Sequence, residues 1–207
     1  MMLIGVLSDT HMPKMARRLP SRLVQKLKKA DLILHAGDWC SLAVWEELSA
    51  IAPVEGVAGN NDGSDIVRRF GYKKRLELEG VRIGIVHGHQ PLGRSGTERN
   101  ALSAFADNPV HVIIFGHSHI PVRKTVGHTL LFNPGSPTDK RRQPQYSFGL
   151  LHIHDGKVKA EHLFSKTKRE RRPLVPTKSR RQQNRSGKKR RHRRRSRRQR
   201  PSAPRRR

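Results

Sequence analysis

Charge is distributed so unevenly along this chain of 207 residues that only part of it can build a hydrophobic core. Residues 166–207 carry 22 Lys and Arg against one acidic residue, a net charge of +21, whereas residues 1–165 carry 22 against 15. Because like charges repel and so little apolar surface cannot offset the entropy of ordering a chain, we predict a disordered basic tail over 166–207. The folded domain is then expected over 1–165.

Composition excludes several classes of protein. The single cysteine, Cys40, excludes a disulfide-rich scaffold and a cysteine-rich zinc module. No apolar run approaches the roughly 18 residues that a membrane-spanning helix needs. The start of the chain lacks a basic segment and soon reaches an acid, Asp9, which is unlike a secretory signal. We therefore expect a reduced, cytoplasmic protein that is not transmembrane.

Short apolar strands alternate with amphipathic helices at the start of the chain. Buried strands are predicted over 3–7, 32–34 and 54–57. Helices between them are expected to begin at the N-caps Ser21 and Ser41. This alternation predicts an α/β fold.

The second half is richer in strands. Glu79-Gly80 and Asp155-Gly156 are predicted to form tight hairpin turns. Between the hairpins, 95–106 is predicted to be a helix with Ser95 and Glu98 in capping-box spacing.

Polar side chains of the kind that bind metals follow five of the predicted strands. In open α/β sheets ligands bind beyond the carboxyl ends of strands, so these side chains are expected to meet at one edge. Each motif alone is weak, but five in series at strand ends are typical of a metal site. The candidate ligands are Asp9, His11, Asp38, Asn60, His87, His117 and His119.

Seven ligands are too many for one zinc ion, which takes about four. They suit two divalent ions about 3.5–4 Å apart with a bridging carboxylate. Glycines next to the ligands would let the backbone turn sharply and approach the ions, and these are Gly37, Gly59, Gly88 and Gly116.

The chain resembles the calcineurin-like metallophosphoesterase superfamily in these motifs. They are Asp9-x-His11, Gly37-Asp38, Gly59-Asn60-x-Asp62, His87-Gly88-His89 and Gly116-His117-x-His119. Together with 133–136, of sequence Asn-Pro-Gly-Ser, they are most similar to the small prokaryotic phosphodiesterase branch, which is related to a scaffold subunit of the retromer coat. Over roughly 1–163 the resemblance implies a four-layer α/β/β/α sandwich, with the metal site at the carboxyl edge of its strands. The tail has no counterpart in the family pattern.

The resemblance also implies a role for each candidate ligand. Asp9, His11 and His119 would bind the first ion, Asp38 would bridge, and the second ion would be bound by Asn60, His87 and His117. The mixed nitrogen and oxygen ligands favour Mn²⁺, with Ni²⁺, Zn²⁺ and Fe²⁺ as alternatives.

The expected catalytic residues are Asn60, Asp62 and His89. Many members of the superfamily carry a histidine directly after the asparagine ligand, as proton donor to the leaving group, but here Asn61 stands there. An amide cannot deliver a proton, so the sequence does not assign the general acid. His89 is the nearest candidate, and a supporting or loop histidine is the alternative.

Other residues are interpreted as structural. Cys40 is expected to be a partly buried small side chain, and His35 is not required as a ligand. Four basic residues could hold a substrate phosphate, although ordinary surface charge is the preferred interpretation: Arg94, Lys140, Arg141 and Arg142.

The leading hypothesis is a phosphoesterase that hydrolyses phosphodiesters of small molecules with a metal-bridging hydroxide. One alternative is a scaffold that kept the fold and lost the chemistry, which the complete ligand set disfavours. Another is a nuclease tethered to nucleic acid by the basic tail, which would bind without sequence specificity. Anionic membrane surfaces are an alternative partner of the tail. The sequence specifies no oligomeric state.

Overall fold

The structure is a computed structural model that describes residues 1–89 and 96–168. Its strands are β1 (Met2–Leu7), β2 (Leu32–His35), β3 (Val54–Gly56), β4 (Lys73–Leu78), β5 (Val81–Val86), β6 (Val112–Ile114), β7 (Val122–Val126), β8 (Thr129–Asn133), β9 (Tyr146–His154) and β10 (Lys157–Ser165). Its helices are α1 (Ser21–Leu27), α2 (Leu42–Ser49), α3 (Ser64–Phe70) and α4 (Thr97–Ser103).

The strands form two sheets of five. The first sheet has the order β10-β9-β1-β2-β3, and the second has the order β4-β5-β6-β8-β7. In the first sheet β1, β2 and the edge strand β3 run parallel, and at the centre of the second β5, β6 and β8 run parallel. Because parallel neighbours end at the same edge, the loops that follow them are brought together there.

Alternation along the strands produces the layers of the fold. Ile4 and Val6 of β1 belong to a core between the two sheets, with Ile83 and Ile114 from the second sheet. The intervening positions face outward, as the period of two in a strand requires. Leu7 packs with residues of α1, α2 and α3, and residues of β5, β6 and β8 pack with α4. The predicted α/β/β/α sandwich is confirmed.

Of the three predicted helix starts, one is confirmed, one is wrong, and the third, at Ser95, lies outside the described residues. Ser41 caps α2 as predicted, because its hydroxyl accepts a hydrogen bond from the Ala43 amide at 3.2 Å. Ser21 instead is the first residue of α1, after Pro20, with no side-chain cap. Helix α4 begins at Thr97 after Gly96, also without a side-chain cap. Glu98, in the first turn of α4, forms an ion pair with Lys124 of β7.

Both predicted hairpin turns are confirmed. Glu79 and Gly80 have φ angles of 49° and 76°, and Asp155 and Gly156 have φ angles of 48° and 70°. Two successive residues with positive φ match the twist of the flanking strands and close a two-residue hairpin.

Several predictions lie outside the described residues. They concern Ser95, Arg94 and the basic tail beyond Lys168. The tail's first residues are described: the Lys168 ammonium donates a hydrogen bond to the Met15 carbonyl at 2.6 Å and lies 5.4 Å from the centre of the Tyr146 ring. Over the described ranges, the structure contains no helix with the length and apolar character needed to cross a bilayer.

Candidate metal centre

The loops after five parallel strands meet at one edge of the two sheets. The loop after β1 carries Asp9 and His11, and it is joined to the loop after β2 by a hydrogen bond from the Asp9 amide to the Gly37 carbonyl at 2.9 Å. The loop after β6 is joined to it by a hydrogen bond from the His117 amide to an Asp9 carboxylate oxygen at 3.1 Å. Side chains from both sheets are thereby fixed around Asp9, which is fully buried.

A first group of possible ligands combines Asp9, His11 and His119. The Nε2 atom of His119 lies 3.2 Å from Asp9 Oδ1 and 3.2 Å from His11 Nε2. The three side chains are all buried. This is the set that the resemblance implied for the first ion.

A second group combines Asp9, Asp38 and His87. His87 Nε2 lies 3.2 Å from Asp38 Oδ2 and 4.0 Å from Asp9 Oδ1. Asp38 Oδ2 also lies 3.5 Å from His11 Nε2, a member of the first group. Both carboxylates therefore reach both groups, although the family resemblance implied that Asp38 alone would bridge.

The remaining predicted ligands, Asn60 and His117, lie next to each other. His117 Nδ1 is 2.9 Å from Asn60 Oδ1. The His117 ring is centred 5.2 Å from the ring of His87. The structure thus brings all seven predicted ligands to one edge.

The ligand atoms at the centre of this cluster fit a bound cation. Asp9 Oδ1 and His87 Nε2 are buried and lack a hydrogen-bond partner within the described part of the chain. Since His87 Nδ1 donates to the Ala36 carbonyl at 2.7 Å, the lone pair of His87 is on Nε2, the atom that faces the carboxylates. His119 is oriented in the same way, because its Nδ1 donates to the Asp139 carbonyl at 2.5 Å. Unpaired buried polar atoms are costly, and a divalent ion would satisfy these.

The two buried carboxylates are ionised. Burial acts to raise the pKa of Asp9, but the neighbouring imidazole of His119 and the charge of His87 outweigh it and lower that pKa. Burial likewise acts to raise the pKa of Asp38, and His87 and Asn61 outweigh it. Both groups are therefore available as anionic ligands at neutral pH.

The backbone is strained where the ligands lie. Five of the predicted ligands have left-handed φ angles although none is glycine: Asp9 at 56°, His11 at 45°, Asp38 at 60°, His117 at 66° and His119 at 60°. Such conformations cost on the order of 1–3 kcal/mol each and persist only where the surrounding structure enforces them.

The segment 133–136 supplies part of that enforcement. Ser136 Oγ donates to the Asp9 carbonyl at 2.7 Å. Asn133 Nδ2 donates to the Gly116 carbonyl at 3.0 Å. A short segment after β8 thus holds the loops that follow β1 and β6.

Close approach also explains two of the predicted glycines. A Cβ atom on Gly116 would lie 1.8 Å from Ser8 Oγ, and one on Gly59 would lie 2.2 Å from Asp38 Oδ1. No side chain fits at either position, so the loops can come together only with glycine there.

Asp62, expected to be catalytic, is placed differently. Its carboxylate accepts hydrogen bonds from the backbone amides of Asp38 at 2.9 Å, Cys40 at 2.7 Å and Gly59 at 2.7 Å. Both oxygens are used in fixing the loop that carries Asp38. In this geometry Asp62 positions the loop that carries Asp38, and its expected catalytic role stays a prediction.

Asn61 is attached to the candidate bridge. Its backbone amide donates to Asp38 Oδ1 at 2.8 Å and its side-chain amide donates to Asp38 Oδ2 at 2.7 Å. The residue that replaces the usual proton donor therefore orients a carboxylate.

His89 lies at the margin of the cluster. Its ring is centred 5.3 Å from His87 and 6.2 Å from His117, and its buried Nδ1 has no hydrogen-bond partner among residues 1–89 and 96–168. Burial and the charges of His87 and His117 lower the pKa of His89 to about 4. The ring is neutral at pH 7, which is unfavourable for a general acid.

His35 is a contributor that the sequence did not reveal. The fully buried ring accepts a hydrogen bond from the Gly37 amide through Nδ1 at 3.2 Å, so Nε2 carries the proton and donates to Thr10 Oγ1 at 3.2 Å. It stacks on Trp39 at 3.7 Å. His35 thereby joins the two loops that carry Asp9 and Asp38. Its sequence signal, a histidine in a buried strand, is too common to identify such a role.

Cys40 is half-buried, as expected. Its Sγ lies 3.4 Å from His11 Nδ1. Burial and the charges of Asp62 and Asp38 raise the pKa of the thiol to about 12, so it stays protonated.

Comparison with known proteins agrees with this geometry. The calcineurin-like phosphoesterase superfamily domain matches residues 2–156. A probable metallophosphoesterase of Methanothermobacter thermautotrophicus is 39% identical over 166 residues, which cover 77% of this chain and 91% of that protein. A phosphodiesterase of Methanocaldococcus jannaschii is 28% identical over 148 residues, covering 65% of this chain and 83% of that protein.

A solved structure shows the same fold. The crystal structure of Vps29 from Entamoeba histolytica complexed with Zn²⁺ has a TM-score of 0.64 and 26% identity, and the match covers 79% of this chain and 99% of that one. The two ligand groups, the two-sheet fold and the match over 2–156 lead to one conclusion: this chain belongs to the calcineurin-like phosphoesterase superfamily, whose members use divalent metals.

Proposed function

We propose that the protein is a dinuclear-metal phosphodiesterase. The observation that carries the proposal is the pair of overlapping ligand groups, Asp9 with His11 and His119, and Asp9 with Asp38 and His87. A site for one ion would leave the second group without a purpose. When bound, divalent ions supply Lewis acidity and a nucleophile at neutral pH.

The chain's own residues would hold and orient this centre. His87 and His119 present Nε2 because their Nδ1 atoms donate to backbone carbonyls. Asp38 spans both groups, and Asn60 and His117 complete the second. Mn²⁺ is the proposed metal, with Ni²⁺, Zn²⁺ and Fe²⁺ as alternatives, because the ligands combine imidazole and carboxylate without thiolate.

A cavity of about 500 Å³ suits a substrate larger than phosphate. It is lined by Ser118, which stands between His117 and His119, and by the apolar side chains Leu102, Ile120 and Val122. Its other lining residues are Gly96, Thr97, Glu98 and Arg99. We propose that it receives the organic part of a small phosphodiester. The name of the Methanocaldococcus relative, a phosphodiesterase, supports the same substrate class.

The test is hydrolysis of bis(4-nitrophenyl) phosphate by chelator-treated protein resupplied with Mn²⁺, Ni²⁺, Zn²⁺, Fe²⁺ or Mg²⁺. We expect activity with a transition metal and its loss in Asp38→Asn, while the exposed control Asp107→Asn keeps it. A protein that binds metal but hydrolyses no ester with any of these ions would favour the scaffold alternative.

For the basic segment 166–207 we propose non-specific binding of nucleic acid, supported by its net charge of +21. Since Lys168 contacts the Met15 carbonyl, the test compares the full chain with a version ending at Lys168. Affinity for duplex DNA should fall steeply with salt in the full chain and be lost in the shortened one; equal affinities would contradict the proposal. The domain boundary at 165 and a cytoplasmic location stay predictions.

A further inference from the structure

Three consecutive basic residues, 140–142, follow the segment that holds the candidate metal centre, and the structure distinguishes them. The Lys140 ammonium donates to the Gln143 carbonyl at 2.8 Å, so its side chain is engaged within its own loop. Arg142 is exposed on the surface. Arg141 alone of the three forms an ion pair with Asp139, the residue whose carbonyl orients His119.

The turn at Asp139 serves the metal centre and Arg141 together. Its amide donates to Ser136 Oγ at 2.8 Å, and its carbonyl accepts from His119 Nδ1 at 2.5 Å. Its carboxylate accepts from the Arg141 amide at 3.3 Å and lies 4.0 Å from Arg141 Nε. Asp139 therefore connects the Arg141 guanidinium to His119, a candidate metal ligand.

The position of Arg141 is fixed by its backbone, while its side chain is open to solvent on one side. Its φ of 46° is left-handed, a conformation that a non-glycine residue adopts where the surrounding structure enforces it. The side chain is 50% exposed. This backbone conformation places the half-exposed Arg141 guanidinium next to Asp139, whose carbonyl orients His119.

The charge of Arg141 lies near the cluster, because the Asp139 carboxylate oxygen that pairs with it is 3.6 Å from His119 Nδ1. Burial and the charge of His87 lower the pKa of His117, and the positive charge of Arg141 adds to this effect. Arg141 also opposes protonation of His119. Its charge therefore acts on ligands of both proposed ions.

A guanidinium in this place has a specific use. Phosphate esters carry more oxygens than the ligand groups can address, and the planar fork of arginine matches two phosphate oxygens at once. Asp139 restrains the Arg141 guanidinium without fully neutralising its charge. The Nε and Oδ2 atoms are 4.0 Å apart, and half of the arginine side chain is exposed to solvent.

We propose that Arg141 is a substrate-contacting residue that binds a phosphoryl oxygen directed away from the metal ligands. This rests on the proposed function. The residue favours a phosphate with a second negative charge, so its contribution is larger for a monoester or for the released phosphate than for a diester.

The experiment compares Arg141→Ala, Arg141→Lys and the neighbouring control Arg142→Ala in the full chain loaded with Mn²⁺. Binding of inorganic phosphate is measured by calorimetry, and kcat/KM is measured for 4-nitrophenyl phosphate and bis(4-nitrophenyl) phosphate. Arg141→Ala should weaken phosphate binding by about 10–100-fold, with partial recovery in Arg141→Lys, since charged hydrogen bonds have that strength. Arg142→Ala should stay within about twofold.

Two results would overturn the proposal. One is an Arg141→Ala protein that binds phosphate as tightly as Arg142→Ala. The other is a loss of Mn²⁺ affinity that parallels the loss of phosphate affinity, because Arg141 would then act through His119 alone. Absence of esterase activity in the wild type would refute the proposed function, and phosphate binding would still decide the role of Arg141.

Discussion

The two edges of the paired sheets use left-handed backbone in different ways. At the edge opposite the cluster, Glu79 and Asp155 have φ angles of 49° and 48°, each is exposed, and each is followed by glycine in a two-residue turn. At the carboxyl edge, Asp9 and Asp38 have φ angles of 56° and 60°, and both are buried. The same conformation closes a hairpin locally in one place and is enforced by distant contacts in the other.

This difference shows what the site depends on. The hairpin conformations need only their own turn residues. The ligand conformations need partners more than 100 residues away, such as Ser136 for Asp9 and Asp9 for His117. Substitutions at the carboxyl edge should therefore disturb metal binding and stability together, whereas those at the hairpins should change stability alone.

The largest effect is expected for Gly116→Ala. The new Cβ would lie 1.8 Å from Ser8 Oγ, so the loops after β1 and β6 must separate, at a cost of roughly 3 kcal/mol or more and with loss of metal affinity. The matched change Gly156→Ala, at φ 70° in open space, should cost only about 1 kcal/mol and leave metal affinity intact. Urea unfolding and Mn²⁺ titration of both variants measure this. Equal losses in the two variants would remove the distinction between the edges.

Acid should destabilise the carboxyl edge through His35. Burial lowers the pKa of this histidine from its ordinary value of 6.5 to about 3. The unfolded chain therefore takes up a proton that the folded chain refuses, so stability is complete above pH 6.5 and falls as the pH drops toward 3. The loss should be about 2 kcal/mol at pH 5.

The variant His35→Gln tests this assignment in chelator-treated protein. It should be less stable than the wild type at pH 8, since it loses the stack on Trp39, but the difference should shrink by pH 5. The partly exposed His152→Gln serves as the control and should follow the wild type. Unfolding curves for His35→Gln that stay parallel to those of the wild type would exclude His35 as the titrating group.

A smaller, chemical effect is expected at Asn61. Its amide orients Asp38 and donates no proton to a leaving group, so hydrolysis should depend steeply on leaving-group pKa. Asn61→His should raise kcat/KM for an alkyl ester by about 10-fold and change an aryl ester much less. The exposed Asn108→His is the control. If wild-type rates are already insensitive to leaving-group pKa with chemistry rate-limiting, another residue donates the proton.

The smallest effect is expected at the opposite edge. Asparagine adopts left-handed backbone more readily than glutamate, so Glu79→Asn should stabilise the protein by a few tenths of a kcal/mol, on the order of 0.5. Metal affinity should be unchanged. Thermal unfolding of the metal-free and Mn²⁺-loaded forms would show this. Any change in Mn²⁺ affinity would contradict the prediction that hairpin substitutions leave metal binding unaffected.

Local patterns in the sequence predicted an α/β fold and the five strand ends that carry ligands, and the family resemblance implied the four layers. They did not predict α3 or β7. Helix α3 has seven residues with charged Asp65, Arg68 and Arg69 among them, which leaves little apolar periodicity. Strand β7 is mostly exposed and is held by its pairing with β8, so no buried pattern identifies it.

The roles inside the site were beyond local patterns for a different reason. Asp62, Asn61 and His35 act on loops that lie 22 to 25 residues away in the chain. Such contacts depend on where the strands end in space. A motif shows that a side chain is near the site, but only the hydrogen bonds show whether it faces the ligands or the backbone behind them.

We propose that the carboxyl edge holds two divalent ions between Asp9 and Asp38. The most direct measurement is calorimetric titration of the chelator-treated full chain with Mn²⁺, checked by elemental analysis after gel filtration. We predict two ions per chain in the wild type, since two ligand groups share Asp9, and loss of at least one ion in Asp38→Asn. A wild type that binds a single ion, or an Asp38→Asn protein that still binds two, would contradict the account.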